Sequence, residues 1–253
     1  MENLVSVVVP LHDPDGQQLQ FLDEMLSSIS NQTLLPFEVI IASNHEMLKQ
    51  TQVLSKYLNL LPIIFFKNNS RNAPSNLNLG IAKCTGKYVK ILFQDDLLGD
   101  ENYIASTVHL LEQTEDAWGL ITSSEDFDSD SSVILKNNRP RFSVKMVSGK
   151  NFFGSPSVVT IRKKSFLPFL EQLVYLYDCE WYTRMVHNWG MPLLERSITT
   201  QVRIHRYQST NTVKQLLASE IVVAGNNHNS TLKNGIAHKY FHRSLKCKCQ
   251  LRP

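Results

Sequence analysis

No apolar run in this 253-residue chain is long enough to cross a bilayer, and the opening MENLVSVVVPLHD offers neither a basic leader nor a signal-peptide span. Cysteine is scarce: Cys84, Cys179, Cys247 and Cys249 show no disulfide-framework spacing, which fits a reducing compartment. Together these absences predict a cytoplasmic protein. Net charge is only +3, so bulk electrostatics give no case for binding nucleic acid. Internal repeats and domain linkers are missing too. What remains, 42% hydrophobic and 19% charged residues, describes one medium-sized globular domain with at most a small appendage. We divide it into a body, residues 1–212, and a helical, basic tail, residues 213–253.

Strand-like and helix-like segments alternate through the first half. LVSVVV, residues 4–9, reads as a buried strand closed by Pro10, and Leu19 to Asn31 as a helix. FEVIIA, residues 37–42, is the next strand and ends at Ser43-Asn44. A helix over 46–58, a strand over 61–66, a helix over 76–83 and the strand of KYVKILF follow. This order predicts an α/β fold with a largely parallel sheet, whose ligands bind beyond the carboxyl ends of the strands. Pro10, Ser43, Asn44 and Asp95-Asp96 all fall at such ends. The second half is less regular: helices over 103–112, 165–173, 180–189 and 213–224, and strands over 118–122, 158–161 and 198–204. EDFDSDSS, residues 125–132, has the alternating aspartates of a Ca²⁺ loop without its glycine or terminal glutamate, and reads better as a solvated loop.

The stretch KYVKILFQDDLLGD organises the chain. A strand buried on both faces ends in Asp95-Asp96, and two adjacent carboxylates there cost desolvation and mutual repulsion. A divalent metal carrying phosphates would offset that cost. The alternative is an acidic turn opening a helix.

Further along, GSPSVVTIRK, YDCEWYTRMVHNWG and VRIHRYQSTN join VSVVVPLHD, FEVIIASN and NLNLGIAKCTGKYVKILFQDDLL in an ordered set. Over residues 4 to 210 this set resembles the family 2 glycosyltransferases of the GT-A fold. The resemblance implies an inverting enzyme that moves a sugar from a nucleotide diphosphate sugar to a glycan or lipid-linked glycan acceptor. It implies Mn²⁺ or Mg²⁺ held by Asp96 and Asp95, with His205 as a further ligand. Without the resemblance, a lone His at a strand end reads as a satisfied structural residue. It implies donor contacts from Pro10, Ser43, Asn44, Asn78, Asp95 and Arg203, and a base at Asp178 with Glu180 in reserve. Asp178 follows the aromatic run LVYLY, which would raise its pKa as a base requires; it would also serve as N-cap of the Glu180 helix.

The chain departs from the family's pattern where Ser43-Asn44 replace base-reading aspartates, where Leu77 replaces an arginine, and where Phe93 replaces an aspartate. These departures motivate the rival reading, a non-catalytic nucleotide-sugar-binding or scaffold protein. A sugar-nucleotide pyrophosphorylase would need a glycine-rich, arginine-bearing loop that PLHDPDGQQ does not supply. In the tail, His238, His242, Cys247 and Cys249 make a zinc site conceivable but with unusual Cys-x-Cys spacing. The tail's basic and apolar residues suit either a peripheral membrane contact or a frayed terminal helix.

Overall fold

The structure, a computed structural model, describes residues 4–70, 72–143, 145–146, 149–208 and 213–228, with side chains to residue 224. The zinc and membrane expectations for residues 238–249 therefore lie outside the described residues.

The elements run β1 (Val5–Leu11), α1 (Leu19–Ser30), β2 (Glu38–Ser43), α2 (Thr51–Ser55), β3 (Ile63–Lys67), α3 (Ala73–Lys83), β4 (Tyr88–Ile91), β5 (Leu97–Leu98) and α4 (Tyr103–Gln113). β6 (Gly119–Asp128), β7 (Ile134–Asn138), β8 (Val159–Arg162), α5 (Tyr177–Trp189), β9 (Leu193–Ile204) and α6 (Leu217–His228) complete the described chain. One mixed sheet is ordered β3-β2-β1-β4-β8-β6-β9-β5, with β7 paired to β6. Its first half, β3-β2-β1-β4, is parallel. β8 runs antiparallel to both β4 and β6, and β5 antiparallel to β9, while β6 and β9 are parallel.

Side-chain alternation along β1 divides the core. Val5, Val7, Val9 and Leu11 pack with the apolar stripe of α1 (Leu22, Met25, Leu26, Ile29) and with α4, whereas Val8 packs with Leu77 and Ile81 of α3 and Trp181 of α5. The sheet is thus covered by helices on both faces, which is why its central strands read as unbroken apolar runs. α3 begins earlier than the pattern suggested, because Asn72 caps it by accepting the Ser75 N–H and Pro74 sits in its first turn.

Several expectations are corrected. Pro10 does not end β1: it pairs with Ala42, and β4 stops at Ile91 opposite Val8, so no strand on that side asks for the missing N–H. The helix expected over 46–58 is cut to the short α2. Only part of the loop expected over 125–132 is one: β6 runs on to Asp128, and residues 129–133 turn into β7, forming a two-stranded arm. The helix expected over 165–173 is a 3₁₀ turn at Lys163–Ser165 followed by irregular chain through Pro168. Asp95-Asp96 opens no helix; it leads directly into β5.

Candidate active site

A cavity of about 880 Å³ opens beyond the end of β4. Asp95 and Asp96 lie on one wall; residues 174–179, including Asp178, form another. The β6–β7 arm and the chain after it add Asp126, Lys136, Arg139 and Arg141. Asn138 holds Asp126 at 2.9 Å, and the Arg141 guanidinium lies 4.7 Å over the Phe152 ring. The cavity is lined by charge of both signs.

The carboxylate pair is held rigidly. Asp96 is buried, and its Oδ1 accepts the Arg203 N–H at 3.0 Å. Burial, followed by the neighbouring Asp95, pushes its carboxyl well above the usual range; hydrogen bonds from the Ser157 hydroxyl and Arg203 N–H, and the Lys90 charge, pull the other way. Lys90 is itself fully buried, with its ammonium on the Tyr103 hydroxyl at 2.6 Å and the Ser157 carbonyl, and burial drives it well below an ordinary lysine. Asp95 is partly exposed, and its Oδ2 meets His205 Nε2 at 2.8 Å. The other ring nitrogen, Nδ1, accepts the Tyr207 N–H, so Nε2 carries the proton and donates to Asp95. His205 thus orients Asp95 in this structure.

Arg203 has a different task from the one expected. Its Nε–H donates to the Asp95 carbonyl at 3.0 Å, another guanidinium N–H donates to Glu24, and the group is sandwiched between Phe21 and Phe127. A buried guanidinium so engaged clamps the Asp95-Asp96 turn and has little left for a ligand's phosphate.

Asp178 is not the N-cap of its helix. α5 starts one residue before it, with Leu176 at the cap position. Asp178 Oδ1 accepts the Cys179 N–H at 2.6 Å and Oδ2 accepts from Asn151 at 2.6 Å. Burial raises Asp178 to about 6, against those hydrogen bonds. Glu180 points elsewhere: it is buried, bound through both oxygens by Arg184 at 2.8 and 3.0 Å, and absent from the cavity wall. A base so placed reaches no ligand in the cavity.

The remaining predicted contacts scatter. Asn78 is spent on the chain around Phe169, accepting its N–H at 2.7 Å and donating to its carbonyl at 2.9 Å. Pro10, Ser43 and Asn44 sit at the ends of β1 and β2, outside the cavity wall. There Asn44 bonds His12 Nδ1 at 2.8 Å and the Ser43 hydroxyl bonds His45 Nδ1 at 2.9 Å. Burial, then the nearby His12, lowers His45 below the usual histidine range, and its Nε2 is buried without a hydrogen-bond partner. Sequence reading passed over His45, Lys90, Glu24 and Asn151. Only Lys90 left a signal, a cation in the middle of an apolar strand six positions before Asp96.

Among the described residues no group of three His, Cys, Asp or Glu side chains makes a metal cage. The pair nevertheless fits a divalent ion that arrives with its own oxygen ligands: two adjacent hard carboxylates face one cavity, and the buried one is under-neutralised.

Comparison with known proteins agrees with this layout. The family model for glycosyl transferase family 2 matches residues 6–167. The structure of TarS 1–349 from S. aureus in complex with UDP-GlcNAc is similar with a TM-score of 0.66 at 12% identity, covering 87% of this chain and 66% of that one. The mannosyltransferase PcManGT from Pyrobaculum calidifontis, in complex with GDP-Man and Mn²⁺, gives a TM-score of 0.60 at 12% identity, covering 100% of this chain and 82% of its own. Against the longer TarS structure, the chain spans 40% of the other's length. No curated protein matches by sequence. At these identities the likeness is one of fold, the GT-A arrangement of a mixed sheet between helices.

Proposed function

The chain belongs to glycosyl transferase family 2, and from that premise we propose that it is a cytoplasmic, inverting glycosyltransferase using a nucleotide diphosphate sugar. The acceptor is a glycan or lipid-linked glycan. The observation that carries this reading is that Asp96 and Asp178, two carboxyls with raised pKa, open into the same cavity.

The donor's nucleoside lies against the ends of β1 and β2, at Pro10, Ser43 and Asn44, and its diphosphate reaches toward Asp95-Asp96. Asp96 with Asp95 would hold a divalent ion, Mn²⁺ or Mg²⁺, which when bound would supply charge neutralisation to the leaving diphosphate. His205 and the Arg203 clamp fix how those two carboxylates face the cavity. Asp178, ionised above about pH 6, takes the acceptor hydroxyl's proton as that oxygen bonds to the anomeric carbon. The bond to the diphosphate breaks with its electrons on the leaving group, and the configuration inverts. Titratable carboxyls in a shared cavity are also where a merely structural protein would have little reason to keep them.

UDP-GlcNAc and GDP-Man, the donors bound by the neighbours, are the first to test. Release of nucleoside diphosphate in Mn²⁺ should fall by at least about a hundredfold in Asp96→Ala, while any release without Mn²⁺ changes little. Asp178→Asn should slow turnover about as much while the donor still raises the melting temperature. Donor binding without turnover in the unmodified chain would instead favour a non-catalytic binding protein.

A further inference from the structure

Glu220 has no place in the chemistry above, yet it is the most heavily used carboxylate next to the cavity. It lies on α6, 5% exposed. Its Oε1 accepts the Val174 N–H at 2.8 Å, and its Oε2 accepts the N–H groups of Tyr175 at 2.9 Å and Leu176 at 2.8 Å. No cation among the described residues forms a salt bridge with it. Burying a carboxylate costs more than burying an amide or an apolar side chain, so packing alone does not account for it; three charge-assisted hydrogen bonds to successive amides offset the cost.

Those amides stand immediately before the helix that carries Asp178. The first N–H groups of a helix lack intrahelical partners, and α5 has no side-chain cap at Leu176. From more than forty residues away, Glu220 satisfies the N–H at that cap position, Leu176, and those of the two residues leading into it. Within the first turn of α5, Asp178 accepts the Cys179 N–H with one of its own oxygens. All of residues 174–179 line the cavity, so the carboxylate that fixes 174–176 also fixes where α5 begins and where Asp178 faces. Asn151 restrains the Asp178 carboxyl from the opposite side.

We infer that Glu220 is a positioning residue for Asp178, and that α6 is a strap which holds the cavity wall carrying the base. The inference rests on the reading of Asp178 as the base only for its catalytic meaning; the positioning itself is testable without any substrate.

The test uses the full chain. Amide hydrogen exchange should find Val174, Tyr175 and Leu176 protected at least about a hundredfold over free peptide, although they lie outside any helix or strand. Exchange at free-peptide rates would overturn the inference before any variant is made. Next, the Asp178 carboxyl is titrated by ¹³C NMR, its signal identified by its loss in Asp178→Asn. The groups that share its field, Tyr177, Cys179 and Tyr182, are all pushed upward by burial and stay neutral through this range. In Glu220→Gln, which turns an NH₂ toward N–H donors, the loop loosens and water enters. The Asp178 midpoint should drop by about one unit from its value near 6. Glu220→Asp, which keeps both oxygens on a shorter stem, should fall between the two and is the variant read if the glutamine chain does not fold. An unchanged midpoint in the variant read overturns the positioning role. Full turnover in Asp178→Asn with a shifted midpoint in Glu220→Gln would remove the base assignment and leave the strap standing.

Discussion

Burial in the cavity wall moves Asp178 from an ordinary aspartate to about 6, and this has a consequence for rate as well as structure. As the proposed base it works only as the carboxylate, so the sign is fixed: turnover should be flat above about pH 7 and fall as pH drops through 6, about tenfold per unit below it. A kcat/KM profile with an acidic limb near 4 would mean that Asp178 is solvated during turnover or is not the base. Of the residues proposed to carry chemistry, Asp95, Asp96, Asp178 and His205 stand in motifs that can be picked out by reading the chain alone. Such a reading gives no access to what they touch. That His205 donates to Asp95, that Arg203 is spent on Glu24 and the Asp95 carbonyl, and that Glu180 is consumed by Arg184 are facts of pairing. Each depends on where a distant or helically adjacent side chain ends up.

At the scale of elements, the parallel half of the sheet was legible because burial on both faces demands unbroken β-branched runs, and VSVVV and EVIIA supply them. The β6–β7 arm was not, because its outer part projects with exposed residues such as Val133, Ile134 and Leu135 and has no core to impose a pattern. Two glycines separate the elements that only hold the fold from those that aim the site. A Cβ on Gly80 of α3 would stand 2.6 Å from Val8 Cγ1. Gly80→Ala should therefore cost about 1–3 kcal/mol in urea unfolding despite alanine's better helix propensity, and should leave donor turnover per folded molecule intact. A Cβ on Gly99 would stand 2.1 Å from the Thr199 carbonyl oxygen, a backbone atom of β9 that cannot step aside. β5, which follows Asp95-Asp96 directly, would be pushed off β9. Gly99→Ala should lower both stability and metal-dependent nucleoside diphosphate release; equal turnover in the two variants would show that β5 does not hold the carboxylates in place.

Across the whole molecule, one side chain joins regions that the chain order keeps far apart. Arg203, near the end of β9, reaches Glu24 on α1, the Asp95 carbonyl after β4 and Phe127 at the end of β6, while its own N–H holds Asp96. The parallel half, at whose strand ends the donor is proposed to lie, and the mixed half, which carries β6, β9 and the far cavity wall, thus meet at one guanidinium. Replacing it with methionine keeps the aliphatic stem but removes the guanidinium, and with it every side-chain hydrogen bond and the contact with the two rings, leaving Glu24 only its bond from Gln20. Glu24 is 38% exposed and water can repay part of that loss, so the stability cost of Arg203→Met should be about 1–3 kcal/mol, less than for a fully buried pair. The Asp96 bond to the Arg203 N–H is a backbone bond and survives in the variant, so the carboxylate pair should lose its clamp without losing its burial. The expected signature is a metal requirement that rises several-fold, measured as the Mn²⁺ concentration giving half-maximal nucleoside diphosphate release, with the acidic limb set by Asp178 unmoved. A shift of that limb instead would mean that the clamp reaches across the cavity to the base, and that the two walls behave as one unit.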